Sequence, residues 1–388
     1  MAERLPDADW TGREDMAALV AALGEGNARY VGGAVRDTLL GIAVKDVDIA
    51  TPLLPDAVMD RLKAAEIRVV PTGIEHGTVT AVLPFGPVEI TTLRRDVSTD
   101  GRRATVEFAS EWREDAARRD FTINALYADP VTREISDFFG GLADLEARCV
   151  RFIGDARQRI REDHLRILRY FRFQARFGSQ PPDEESETAC AELAETLKGL
   201  SRERIGMETL NLLGLPDPAP TIARMEALGV LPVILPEAEP EALAALITAE
   251  RAHDIAPDPM RRLAALLPAD ERLASQVAAR FRLSGKQKKR LKLAADRSEN
   301  DADARALAYR FGIDSALDRL LLTGADPGPL ESWDIPEFPL KGGEIVAAGV
   351  AAGPEVARIL QEVESQWIAE GFPPRERVEV ILRSILSD

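Results

Sequence analysis

An α+β first part built on a small mixed or antiparallel sheet, followed by an all-α remainder, is the fold class this sequence predicts. Three observations carry it. Up to about Cys149, short β-branched or alternating runs are interleaved with helical spacing. Beyond it, long Ala-, Leu- and Arg-rich stretches are broken only by Pro and Gly. No fixed-period repeat or low-complexity tract runs through either part.

Taken in order, Glu14–Leu23 has the spacing of a short amphipathic helix. Ala28–Val31 is a brief run into Gly32-Gly33, and Ala34–Leu40 reads as the helix that follows. Val47–Ala50, Ile67–Val70, Thr78–Leu83 and Val88–Leu93 read as strands, the last two joined by a hairpin turn at Pro84–Pro87. Thr99–Arg103 is polar and reads as a mobile loop, and Phe121–Leu126 reads as the start of a helix. In the second part the helix boundaries fall at Ser179–Asp183, Gly214–Pro220, Gly229–Pro240, Ala256–Pro259, Gly324–Pro339 and Gly371–Pro374.

Composition narrows the function classes. The chain has 388 residues, enough for two or three domains. No apolar run approaches the ~20 residues of a membrane helix, and residues 1–10 do not read as a secretion signal. The two cysteines, Cys149 and Cys190, cannot make a disulfide framework, which fits a reducing, cytoplasmic setting. Three histidines exclude a His-rich metal site. The net charge of −16 argues, taken alone, against a polyphosphate partner. Its distribution argues otherwise. Arg148–Arg176 carries nine arginines against three acids, and Arg280–Lys292 carries seven basic residues and no acid. A single basic run is ordinarily a solvated helix face; two in an acidic chain point to anionic partners.

Three constellations carry chemistry. In Val31-Gly-Gly-Ala-Val-Arg-Asp37, two glycines between a strand and a helix let backbone N–H groups approach phosphate oxygens. Asp46 and Asp48, two apart on a strand, point to one face and suit a hard cation such as Mg2+. Glu89, on an apolar-alternating strand, is a further acidic candidate. In Arg118-Arg-Asp-Phe-Thr-Ile-Asn124, Arg119 and Asp120 can hold the phosphate and ribose of a nucleotide, although an Asp there also caps a helix. In Ile160–Phe173, an apolar stripe of Ile160, Ile167, Leu168 and Phe171 leaves Asp163, Arg166 and Arg169 three apart on a common face. Cytosine and adenine both present an amino donor beside a ring-nitrogen acceptor, and uracil and guanine present the reverse. One carboxylate with one guanidinium therefore accepts C and A and rejects U and G.

These motifs resemble the class II nucleotidyltransferases that mature tRNA 3′ ends: bacterial-type CCA-adding enzymes, with bacterial poly(A) polymerases as near relatives. The resemblance rests on GGAVRD (Gly32–Asp37), DVD (Asp46–Asp48), GIEHGTV (Gly73–Val79), EITTLR (Glu89–Arg94), RRDFTINAL (Arg118–Leu126), REDHLRILRYFRF (Arg161–Phe173) and a weaker element at Leu200–Thr209. It implies a nucleotidyltransferase head (1–147), a helical neck (148–213) and a helical body and tail that bind tRNA (214–388). It also implies Asp46 and Asp48 as Mg2+ ligands with Glu89 as third acid, and Gly32, Gly33 and Arg36 at the triphosphate. Arg119 and Asp120 would hold the incoming nucleotide, and Asp163 and Arg166 would read its base with Arg169 beside them. The partners are tRNA, ATP and CTP, with no membrane and no protein partner indicated. Full CCA addition is favoured by the ordinary length of Arg95–Ala117. A poly(A) polymerase, a partial CC- or A-only enzyme, and an inactive RNA-binding module on the same scaffold are the alternatives. His253-Asp254 is the only His-Asp pair, so no phosphohydrolase domain is expected. Lys286, Lys288, Lys289 and Arg290 are the candidate contacts for the tRNA body.

Overall fold

The computed structural model describes residues 4–99, 104–297 and 303–387. Most of the loop expected at Thr99–Arg103 lies outside them. Two units emerge, Met1–Pro236 and Glu237–Asp388.

The first unit begins with α1 (Glu14–Leu23), whose Met16, Leu19 and Leu23 are buried. β1 (Arg29–Val31) then leads through Gly32 into α2 (Gly33–Leu39). β2 (Asp48–Thr51), α3 (Pro55–Ala64), β3 (Val69–Gly73), β4 (Thr78–Leu83) and β5 (Gly86–Thr92) follow. β6 (Arg94–Thr99) and β7 (Ala104–Phe108) form a separate hairpin, leading to α4 (Trp112–Ala117). β8 (Leu126–Ala128) and β9 (Ile135–Asp137) complete a seven-stranded sheet of order β3-β4-β5-β2-β1-β8-β9. Only β2 and β5 run parallel in it; the remaining pairs are antiparallel.

Register decides what each face carries. Val79, Ile90, Ile49 and Tyr30 line up across β4, β5, β2 and β1, and all four are buried. The next row, Thr80, Glu89, Asp48, Val31 and Tyr127, faces the other way. A one-residue slip of β2 would exchange the two sets, so the buried isoleucines fix the acids in place.

Two expected elements come out differently. Phe121–Leu126 does not begin an α-helix. It makes one 3-10 turn at Thr122–Asn124 and passes into β8. Asp120 Oδ1 accepts from the Phe121 N–H and from Asn124 Nδ2, both at 2.9 Å, so the acid stabilises a turn and not a helix start. Asp46 lies just before β2, not on it, although buried Val47 keeps the alternation that separates it from Asp48.

The helices α5 (Gly141–Glu146), α6 (Ala156–Glu162), α7 (Arg166–Phe177), α8 (Glu184–Glu192), α9 (Arg202–Leu213), α10 (Ala219–Ala227) and α11 (Leu231–Ile234) finish this unit. Phe121 joins them to the sheet region: its ring lies 5.0 Å from those of Phe152 and Phe173. All three are buried, which explains why the helices up to Pro236 form one unit with the sheet.

The second unit is helical: α12 (Glu241–Ala252), α13 (Pro259–Ala265), α14 (Glu271–Arg280), α15 (Gly285–Ala295), α16 (Ala304–Phe311), α17 (Ile313–Thr323), α18 (Gly342–Ala347), α19 (Pro354–Ala369) and α20 (Arg375–Ser387). Asp258, Asp270, Ser284 and Asp303 cap α13, α14, α15 and α16 with side-chain bonds. Trp367 is buried, with Ile359, Val363, Val378 and Ile381 in the same cluster. A buried ionic network ties four helices. Arg261 donates to Glu250 (2.7 Å) and Asp318 (3.0 Å), Arg262 pairs with Glu250, and Arg290 donates to Asp318 (2.6 Å). Among the described residues no helix is long and apolar enough to cross a membrane.

Candidate active site

Parallel pairing of β2 with β5 sets Asp48 directly beside Glu89. Burial raises the Asp48 carboxyl above its usual range, and the neighbouring charges of Glu89 and Asp46 push it further the same way. The Arg119 charge opposes them, and a cation at this face would relieve the repulsion between Asp48 and its acidic neighbours. Among the described residues, no three acidic, histidine or cysteine side chains are gathered closely enough to hold an ion by themselves.

Beside the acids, Gly32 turns the chain from β1 into α2 at φ +67°. A Cβ there would stand in a conformation L-residues rarely adopt, 3.4 Å from Nη1 of Arg119. Arg36 is buried beneath the turn. It is bonded to Asp37 and Asn124, with its guanidinium 4.2 Å above the Phe177 ring. Arg36 therefore braces the turn from below.

Arg119 is anchored by Tyr127 and Asp115. Its Nε donates to the Tyr127 hydroxyl and its Nη2 to Asp115 Oδ2, both at 3.1 Å. Asp120 is buried and takes Arg169 Nε at 2.8 Å, from the middle of α7. Burial would raise Asp115 and Asp120. Arg119 and Arg118 outweigh it at the first, and Arg169 with Asn124 at the second, so both sit at about 2.

A depressed carboxylate stabilises the fold above its unfolded pKa near 4 and loses that contribution as pH falls toward 2. Each acid should contribute on the order of 2 kcal/mol at neutral pH. The stability gap between the parent and Asp120→Asn, read from urea midpoints, should be widest at pH 7 and shrink markedly by about pH 3. A gap independent of pH would refute the ionised pair.

The third constellation is only partly gathered. α6 ends at Glu162 and α7 begins at Arg166, so Asp163 sits in the junction and not on a helix face with Arg166 and Arg169. The physical reason is local: Asp163 Oδ1 accepts from the Leu165 N–H and its carbonyl from the Arg166 N–H, the behaviour of a short acid ahead of a helix. Its Oδ2 accepts from Arg204 at 2.8 Å, whereas Arg166 reaches Glu162 and the Arg118 carbonyl. The expected apolar stripe of Ile160, Ile167, Leu168 and Phe171 is buried throughout.

The first basic island is largely paired within the unit. Arg151, Arg157, Arg159, Arg166, Arg169, Arg172 and Arg176 all have acidic partners. Its excess charge is a property of the sequence segment more than of the folded surface. In the second island Arg290 is committed to Asp318 and Asp258, while Lys286, Lys288 and Lys289 are exposed on α15.

Sequence reasoning missed Asp115, Tyr127 and Arg204. Asp115 stands three and four residues before the paired arginines, the helical spacing for ion pairs, and that signal was present in Asp115–Arg119. Arg204 lies inside the weak element at Leu200–Thr209.

A turn fit for phosphates, set against acids that want a cation and an arginine with one edge anchored, suits phosphoryl chemistry, and the head it stands on is that of a nucleotidyltransferase. Residues 28–151 match the family model described as the Poly A polymerase head domain, and residues 181–241 match the one described as a probable RNA and SrmB-binding site of polymerase A. The chain is 37% identical over 364 residues to the mitochondrial CCA tRNA nucleotidyltransferase 1 of Mus musculus, covering 89% of this chain and 83% of the relative. It is 33% identical over 374 residues to the CCA-adding enzyme of Streptococcus sanguinis, covering 90% of each. The crystal structure of the Bacillus stearothermophilus CCA-adding enzyme in complex with CTP superimposes with a TM-score of 0.77 at 28% identity, over 96% of this chain and 98% of that one. The chain belongs to the CCA-adding tRNA nucleotidyltransferase family. This family works with a divalent metal ion, in keeping with the acids at β2 and β5.

Proposed function

We propose that this protein adds C, C and A to the 3′ end of tRNA from CTP and ATP. The terminal hydroxyl oxygen bonds to the α-phosphorus and loses its proton, the α–β phosphoanhydride P–O bond breaks, and pyrophosphate leaves. The observation that carries the reading is the placement of Asp48 and Glu89 side by side on one sheet face, with the Gly32 turn and Arg119 beside them.

Asp46 and Asp48 are the residues that would hold Mg2+, with Glu89 as the third acid. Bound there, the ion would supply charge stabilisation at the phosphates and a more acidic hydroxyl. Gly32 and Gly33 offer backbone N–H groups to the triphosphate, over a turn that Arg36 braces. Arg119 presents its free edge to the phosphates, and Asp120, held by Arg169, shapes the ribose side. Asp163 accepts from the amino group of C or A and Arg166 donates to the ring. The head spans 1–147 and the neck 148–213, and 214–388 contacts tRNA. Two free cysteines fit a reducing, cytoplasmic location.

Incubating tRNA that lacks its 3′ CCA with each labelled nucleotide and Mg2+ tests the reading. C and A should be incorporated, and G and U should not. Asp163→Ala should relax that choice by about tenfold or more while KM for CTP changes less. Unchanged selectivity in an active variant would refute the role of Asp163 in base choice.

Lys286, Lys288 and Lys289 are the candidate tRNA contacts in the second unit. Replacing all three with alanine should weaken tRNA binding about tenfold at low salt and flatten its salt dependence by about one unit per lost phosphate contact. Unaltered affinity would mark α15 as a solvated face only.

A further inference from the structure

We propose that Asp115 is a positioning residue that presets Arg119 for the incoming nucleotide. The inference rests on the nucleotidyl-transfer reading and assigns the step that prepares its phosphate contact.

Asp115 is 1% exposed, so it cannot itself meet substrate. Its carboxylate nevertheless gathers donors of four residues from three segments. These are Arg118 Nε at 2.8 Å and Nη2 at 2.7 Å, Arg119 Nη2 at 3.1 Å, the Tyr127 hydroxyl at 2.6 Å and the backbone N–H of Arg94 at 3.3 Å. A carboxylate has about four lone-pair sites, and these donors fill them.

The consequence falls on Arg119. A guanidinium is a planar fork with donors on Nε, Nη1 and Nη2. Nε is taken by Tyr127 and Nη2 by Asp115. Nη1 is left beside Gly32, 3.4 Å from where a Cβ would stand. Anchoring one edge points the other at the turn where the phosphates are expected. A long flexible side chain is thereby ordered before substrate arrives, and the entropy of ordering it is not charged to binding.

Tyr127 carries this arrangement into the sheet. It sits opposite Val31 on β1, in the same row as Asp48 and Glu89. The Arg94 contact ties it to the root of the β6–β7 hairpin. The hairpin, the arginine pair and the acidic row therefore meet at one buried carboxylate.

Asp115→Asn keeps the size of the side chain and removes its charge. The expected result is a rise of about tenfold in KM for both CTP and ATP, with KM for tRNA nearly unchanged. In an Arg119→Ala background the same substitution should add less than about twofold, because the group it acts through is gone. A merely structural role would lower the yield of folded enzyme without moving KM, and its effect would persist undiminished in that background; either outcome overturns the proposal. If Asp115→Asn does not fold, Tyr127→Phe removes one anchor of the same guanidinium and should raise KM for the nucleotides about threefold, again only when Arg119 is present. Equilibrium binding of CTP separates this from the functional reading. If the parent protein binds CTP but transfers nothing, the transfer reading fails while the positioning role is still read from CTP affinity. If it does not bind CTP, both fail.

Discussion

Asp48→Ala lowers nucleotide addition by at least about a thousandfold and leaves tRNA affinity within about twofold of the parent. The expectation follows from where the residue stands. Asp48 is on the sheet face beside Glu89, away from the buried row on the other face, and the role proposed for it is to hold a cation. It makes no contribution to the buried row on the other face, so its removal does not disturb the core. Its carboxyl is raised by burial and by the charges of Glu89 and Asp46, which means that its ionised form is held against repulsion. Deleting it should leave the melting temperature unchanged or slightly higher. Activity and stability are thus expected to move in opposite directions, as they do where a site is maintained at the expense of the fold. Asp46→Ala should behave alike. A loss of tRNA binding in proportion to the loss of transfer would contradict the role assigned to both acids.

Asp318→Ala destabilises the helical second unit by about 3–5 kcal/mol. Asp318 is fully buried and accepts from Arg261 and Arg290, themselves anchored on different helices. Its removal leaves guanidiniums with part of their charge uncompensated in a low-dielectric interior, and the cost of a stranded buried charge exceeds the net worth of the pair it belonged to. Glu250 still faces Arg261 and Asp258 still faces Arg290, so each guanidinium keeps one partner, and what is lost is the carboxylate that joins α13, α15 and α17. Denaturant midpoints would report it. A change under about 1 kcal/mol would show that water or neighbouring groups take over the role of Asp318. Since α15 presents Lys286, Lys288 and Lys289, the same variant should weaken tRNA binding before it touches CTP binding.

How much of this was legible in the sequence differs by residue. The strand-turn-helix at Gly32 and the hairpin of β4 and β5 were readable, because local spacing and turn chemistry dictate them. The alternation Val47-Asp48-Ile49 and Val88-Glu89-Ile90 already separated acids from core. That β2 and β5 are parallel neighbours was not readable, since pairing depends on contacts between distant segments. Side-by-side placement of Asp48 and Glu89 is the product of that pairing. Asp163 shows a different limit. Its three-residue spacing to Arg166 suggested a shared helix face, but a hydrogen bond from Leu165 N–H to its side chain ended one helix and opened another. The basic islands show a third. Net charge along the sequence counted Arg169, Arg172 and Arg176 as surplus, whereas folding brings Asp120, Glu208 and Asp37 against them. Charge summed over a segment says little about surface potential when its partners lie elsewhere in the chain.

The length and sequence of the product formed on tRNA lacking its 3′ CCA, with CTP, ATP and Mg2+ supplied together, test CCA addition directly. The predicted product carries C, C and A and is extended no further, and CTP alone gives addition of C only. An A tail that grows with time would assign the protein to polyadenylation, and no extension at all would leave it a binding module on this scaffold.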